Sequence, residues 1–377
     1  MGNPLVELSQ YGQSVWYDNM RRGLVMSGQL QQMIENDGLR GMTSNPAIFE
    51  KAISGSSDYS GVLHALADIG DPLKIYEAIA VEDIQWAADL LLPVYQESDG
   101  RDGYISLEVS PHLANDTEGT VEEGLRLAEE VGRANLMIKV PGTAAGVPAI
   151  ERLTGEGINV NVTLLFSLEN YVEVAEAYMA GLEAWGAKGG DPSKVASVAS
   201  FFISRIDALV DARLQERAGQ VESASERLAL GALKGKVAIA NAKLTYARYK
   251  ELYGGERWEK LAAAGARSQR LLWASTSTKD PSYRDVLYVE ELIGPDTVNT
   301  MPEATLLAFR DHGRLRPSLE EDLDEAQDVM DGLEELGISI AEVTDKLQVD
   351  AVQLFVEPFD KLLAAIQAQC ESTRKRA

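Results

Sequence analysis

Eight short runs of apolar and β-branched residues punctuate this chain of 377 residues, and longer amphipathic stretches lie between them. The runs are Ser14–Tyr17, Gly41–Ser44, Tyr104–Val109, Leu136–Val140, Asn159–Leu165, Val195–Ser200, Arg270–Ala274 and Val298–Met301. Leu136-Met137-Ile138-Lys139-Val140 is apolar on both faces apart from one lysine, the pattern of a strand buried on both sides in a parallel sheet. Between the runs, Thr120–Gly132 carries Val121, Leu125, Ala128 and Val131 at helical spacing, and Ser167–Trp185 and Ile203–Leu214 have similar periods. Strands that alternate with helices make βαβ units, and eight such units predict a (β/α)8 TIM barrel within the α/β class.

The length exceeds the ~250 residues of a plain barrel. The surplus has three homes: helical insertions at about 50–103 and 215–268, and a helical extension at about 318–377. In the second insertion Leu228–Leu252 reads as one long helix. The extension reads as two or three helices divided near Gly337-Ile338 and Pro358, with the tail Glu371–Ala377 frayed. No linker or internal repeat divides the chain, so residues 1–377 are expected to form a single domain.

Charge and cysteine content exclude some functions. Lys and Arg total 35 against 59 Asp and Glu, a formal charge of −24, which repels nucleic acid and anionic membrane. An anionic substrate then requires a local basic pocket. One cysteine, Cys370, and three histidines, His64, His112 and His312, offer no disulfide and no zinc-type ligand spacing, so no metal is expected. The single cysteine suits a reducing compartment, and the N-terminal residues lack a signal-peptide pattern, so the expected location is cytoplasmic.

In such a barrel the chemistry sits at the C-terminal ends of the strands. There the runs place Asp18, Thr43-Ser44-Asn45-Pro46, Glu108, Lys139, Asn161 with Thr163, Ser200 with Arg205, and Ser275–Lys279. Lys139 has the most to explain. Desolvation disfavours its charged form, and a neutral amine can attack a carbonyl to form a Schiff base. The same lysine also fits an ordinary ion pair at a strand end. Asp18 and Glu108 supply an acid and a base if they point inward, and either one serves equally as a pairing or capping carboxylate. Asn161 and Thr163 alternate and so share a face. Asn45, before Pro46, equally fits turn chemistry. Ser200, Arg205 and Lys279 suit a phosphate.

Taken in order, these segments resemble the transaldolases over most of the chain. The resemblance rests on Thr43-Ser44-Asn45-Pro46, Ser106-Leu107-Glu108-Val109, Ile138-Lys139-Val140-Pro141-Gly142-Thr143, the run Asn159 to Ser167, and Ser200-Phe201-Phe202-Ile203-Ser204-Arg205. The length and Trp273–Lys279 look like the longer bacterial branch. The resemblance implies a class I aldolase-type barrel that needs no cofactor and acts on phosphorylated sugars, as a monomer or homodimer. It implies transfer of a dihydroxyacetone unit from sedoheptulose 7-phosphate to glyceraldehyde 3-phosphate, within the pentose phosphate pathway. By position, Lys139 would form the Schiff base and Asp18 would take the proton of the donor hydroxyl. Glu108 would act through a water held by Thr163. Asn45 and Asn161 would position the dihydroxyacetone moiety, and Ser200 and Arg205 would bind phosphate. Many members place a second arginine after strand 7. Here Ser275–Lys279 has none, which leaves Lys279, Ser277 or Arg284 as the substitute.

Three other readings stay open on the residues alone. One is an aldolase that releases its three-carbon unit. Another is a retaining glycosidase built on Asp18 and Glu108, which leaves Lys139 without a role. The last is a non-catalytic binding barrel.

Overall fold

The computed structural model describes residues 2–374, with side chains through Glu371. Its strands are β1 (Gln13–Asp18), β2 (Leu39–Thr43), β3 (Tyr104–Glu108), β4 (Leu136–Pro141), β5 (Val160–Leu165), β6 (Ser197–Phe202), β7 (Arg270–Ala274) and β8 (Thr297–Met301). They close into an eight-stranded barrel in sequence order, every neighbouring pair parallel, with helices packed outside. The expected (β/α)8 barrel is the observed fold. All eight strands lie where the apolar runs are, and the bounds differ by two residues at most.

The register decides which side chains share a level. Glu108 pairs with Lys139, Lys139 with Asn161, and Asp18 with Thr43. A contact between neighbouring strands accounts for one sequence choice. The Trp16 indole fills the space beside β2 so closely that a Cβ on Gly41 would lie 2.4 Å from the ring.

The first insertion holds the helices Pro46–Gly55, Ser60–Leu66 and Pro72–Glu97. In the second, the expected single helix Leu228–Leu252 is broken into Ala224–Ala232 and Val237–Leu252. The break falls at Gly235, whose φ of 70° is left-handed and whose Cα faces the Tyr283 ring, so helical propensity yields to a turn only glycine fits.

The extension also differs from expectation. Leu323–Glu335 and Ile340–Arg374 are separated near Gly337, as expected, but the second helix runs straight through Pro358. A proline inside a helix costs ~3 kcal/mol. Here Phe355, Phe359, Leu362 and Ile366 stay buried on both sides of it. The carbonyl left without a donor belongs to Leu354, on the exposed face. Glu371–Arg374 continue this helix, and the rest of the expected frayed tail lies outside the described residues. Among the described residues no helix is long and apolar enough to cross a membrane.

Candidate active site

The C-terminal ends of the strands surround a cavity of about 320 Å³. Asp18, Asn45, Lys139, Thr163, Ser200, Arg205 and Lys279 all line it, seven of the nine residues singled out in the sequence, together with Ser277, the alternative to Lys279. Glu108 and Asn161 stand just behind this lining.

Lys139 rises from the middle of β4 and is 4% exposed. Its Nζ donates to the Ser44 carbonyl at 3.1 Å and lies 3.1 Å from Glu108 Oε2. The Glu108 contact is close but not aligned as a hydrogen bond, and neither carboxylate oxygen has another partner among the described residues. Burial pushes the Glu108 carboxyl up to about 7; the adjacent ammonium pulls the other way, and Asp18 adds a smaller upward push.

Asp18 closes β1. It accepts from Thr43 Oγ1 at 2.7 Å, and Thr43 Oγ1 in turn lies 2.8 Å from Thr300 Oγ1. Burial raises the Asp18 carboxyl, while Lys139 and the Thr43 hydroxyl hold it down. Two carboxyls thus flank one amine, and both have burial working against their charged form.

Asn161 is fully buried. Its Nδ2 donates to Ser106 Oγ at 2.9 Å and its Oδ1 accepts from Ser200 Oγ at 2.7 Å. Both ends of the amide are therefore held by the barrel, and it fixes Ser200. Thr163 is buried at the cavity wall, and its Oγ1 has no partner among the described residues. Asn45 Oδ1 accepts from the Ile48 amide, capping Pro46–Gly55, while the residue also lines the cavity. Its capping role and a place at the site coexist.

One end of the cavity is cationic. Arg205 opens the helix after β6, its guanidinium 5.8 Å from the Phe202 ring. Lys279 stands at the rim, where its Nζ donates to Ser277 Oγ at 2.9 Å. Desolvation and then the charges of Arg205 and Lys51 hold its ammonium below the ordinary lysine value. Arg284 belongs elsewhere: it pairs with Glu290 and donates to the His312 carbonyl.

Lys51, Thr300 and Phe355 also line the cavity and were not anticipated. Lys51 is the one lysine of an otherwise largely apolar helix, a signal visible in Pro46-Ala47-Ile48-Phe49-Glu50-Lys51. Thr43, already named at the end of β2, and Thr300, next to the end of β8, add two hydroxyls to the cavity wall. Phe355 comes from the C-terminal helix, with its ring centroid 5.6 Å from Lys139 Nζ, and nothing local in the sequence points to it. Among the described residues no three His, Cys, Asp or Glu side chains gather as they would around a metal ion.

The family model for Transaldolase/Fructose-6-phosphate aldolase matches residues 15–366, from within β1 to within the C-terminal helix. The chain belongs to this family. Relatives agree over almost the whole length. The chain is 50% identical over 369 residues to "Transaldolase 2" of Nostoc punctiforme, covering 97% of each chain. It is 48% identical over 373 residues to "Transaldolase" of Thermobifida fusca, covering 98% of this chain and 99% of that one. It is 45% identical over 377 residues to "Transaldolase" of Acidothermus cellulolyticus, covering 100% and 99%. The transaldolase-family match takes in both the strand-end residues and the C-terminal helix that reaches over them.

Proposed function

We propose that the protein is a cytoplasmic transaldolase. It moves a dihydroxyacetone unit reversibly from sedoheptulose 7-phosphate to glyceraldehyde 3-phosphate, giving erythrose 4-phosphate and fructose 6-phosphate. The reaction belongs to the non-oxidative pentose phosphate pathway. The observation that carries this reading is the buried Lys139 amine beside Glu108, opening onto a cavity that Asp18 and a cluster of cations share.

Lys139 Nζ gives a proton to Glu108, whose raised pKa suits it to accept and return one near neutrality. The free amine attacks C2 of the donor ketose. Glu108 returns the proton as water leaves the carbinolamine, through a water held at the Thr163 hydroxyl, which has no partner among the described residues. The resulting iminium is an electron sink. Asp18 takes the proton of the C4 hydroxyl, the C3–C4 bond breaks, and its electron pair moves to nitrogen. The aldose leaves and an enamine stays on Lys139. The enamine carbon then attacks the carbonyl carbon of the acceptor, and Asp18 returns its proton to the new alkoxide. Hydrolysis through Glu108 releases the ketose.

Ser200, Arg205 and Lys279 hold the phosphate that donor and acceptor both carry, which is how a chain of net charge −24 takes an anionic substrate. Asn45 and Asn161 position the dihydroxyacetone end, and Asn161 separately fixes the Ser200 hydroxyl by accepting its hydrogen bond.

The test is to incubate the protein with fructose 6-phosphate and sodium borohydride, then map the product by peptide mass spectrometry. A reduced three-carbon adduct on Lys139 is expected. An unmodified Lys139, with substrate shown to bind, would overturn the mechanism.

A further inference from the structure

The wall of the cavity above Lys139 is not made by a strand. It is Phe355, from the helix Ile340–Arg374, 5% exposed and 5.6 Å from Lys139 Nζ at its ring centroid. Contacts on either side along the helix fix the ring. Gln348 Nε2, two turns before it, donates to the Gly142 carbonyl at 3.1 Å and to Asn170 Oδ1 at 2.9 Å, which ties the helix to the loop after β4. Phe359, one turn after it, packs edge-on against Tyr76 with centroids 5.4 Å apart. Two aromatic rings line the cavity. Phe202 serves the cationic end, against Arg205, and Phe355 lies against the amine.

Most other groups around Lys139 hold water well: Asp18, Thr43, Asn45, Thr163, Ser200 and Thr300 all offer hydrogen bonds. A ring face offers no proton and no strong acceptor. It favours a cation such as the iminium, and it excludes water from the space it fills. We infer, resting on the transaldolase reading, that Phe355 is a specificity-determining residue that favours transfer over release: it keeps water from the enamine until an acceptor aldehyde arrives.

The competing step is balanced by water alone. The enamine carbon C3 takes a proton from water, forming a C–H bond and regenerating the iminium. Water adds to C2, the C–N bond breaks, and free dihydroxyacetone leaves as Lys139 recovers its amine. Without Phe355 this route gains on attack at the acceptor.

The experiment compares the wild type with Phe355→Ala, Phe355→Leu and Phe359→Ala, using fructose 6-phosphate as donor. Glyceraldehyde 3-phosphate released without acceptor measures cleavage. Sedoheptulose 7-phosphate formed with erythrose 4-phosphate measures transfer. Phe355→Ala is expected to raise the cleavage-to-transfer ratio by at least about tenfold, since expelling water is what protects a reactive intermediate. Phe355→Leu, which keeps apolar bulk and loses the ring, is expected to raise it less, and it carries the test if the alanine variant does not fold. Phe359→Ala is expected to leave the ratio unchanged. An unchanged ratio in the Phe355 variants, or an equal rise in Phe359→Ala from displacement of the whole helix, would overturn the inference. Borohydride trapping on Lys139 of the wild type separates the two readings. Trapping with an unchanged ratio defeats only this inference; no trapping defeats the transaldolase mechanism itself.

Discussion

Glu108 Oε2 and Lys139 Nζ face each other at 3.1 Å across the β3–β4 pairing, in a register that sets the two residues directly side by side. Both are almost wholly buried. An ion pair in that position gains Coulomb energy and loses hydration, and here the loss dominates for the carboxyl, which burial pushes up to about 7. The raised carboxyl stands within 3.1 Å of the amine with which it must exchange a proton.

The first prediction follows from that shift. Between the ordinary carboxyl value of 4.5 and about 7, native Glu108 holds a proton that the unfolded chain has released. Native stability therefore falls as pH rises through this window and levels off above it. A shift of this size amounts to about 3 kcal/mol. Urea unfolding of wild type and Glu108→Gln at pH 5, 6, 7 and 8 isolates the effect. The wild-type advantage over Glu108→Gln is expected to shrink from pH 5 to pH 8. A difference independent of pH would mean that this carboxyl does not titrate there.

A second prediction concerns Asp18. Its carboxylate is helped by one hydroxyl, Thr43 Oγ1, which Thr300 backs at 2.8 Å. Thr43→Val removes the donor, so the Asp18 carboxyl moves further above its ordinary value. The acid limb of the kcat profile is expected to move to higher pH. The rate below neutrality is expected to fall about tenfold, the worth of one hydrogen bond to a charged group. Thr300→Val, acting through Thr43, is expected to do the same more weakly. Steady-state rates from pH 5.5 to 8.5 decide it.

These residues also mark how far the sequence could be read. The barrel was legible because burial on both faces writes itself into short apolar runs, and Lys139 was legible because it interrupts one. Asp18 and Glu108 were visible as acids at strand ends, though their distance from the amine depends on register, which no local pattern encodes. Gly235 and Pro358 misled in opposite directions: one broke a helix of good propensity, and packing carried a helix through the other. Phe355 was illegible because it approaches Lys139 from more than two hundred positions away, through the docking of a whole helix.

A third prediction separates the substitutes for the second arginine. Lys279 and Lys51 line the cavity with Arg205, whereas Arg284 is spent on Glu290. Lys279→Ala is expected to raise KM for fructose 6-phosphate about tenfold, the loss of one charge-assisted contact, with a smaller change in kcat. Lys51→Ala is expected to act in the same direction. Arg284→Ala is expected to leave KM unchanged, and a rise there with none in Lys279→Ala would reverse the assignment.

The last prediction lies at the other end of the barrel. There Arg270, first residue of β7, pairs with Asp102 at 2.9 Å and donates to Ser14 Oγ and the Arg101 carbonyl. Asp102 also accepts from Ser14 Oγ at 2.7 Å and from Trp16 Nε1 at 3.2 Å. This network joins β1, the approach to β3, and β7 across the barrel floor, far from the lining of the cavity. Removing one partner leaves a buried guanidinium without its counter-charge, so Asp102→Asn is expected to cost about 3–5 kcal/mol. Removing both charges leaves no such orphan, and Asp102→Leu with Arg270→Met is expected to recover much of that loss. Neither change touches a cavity residue, so KM for fructose 6-phosphate is expected to stay at the wild-type value. Denaturant unfolding and steady-state kinetics on the same preparations test both halves: a KM that rises with the loss of stability would mean that the floor of the barrel and its active end are coupled.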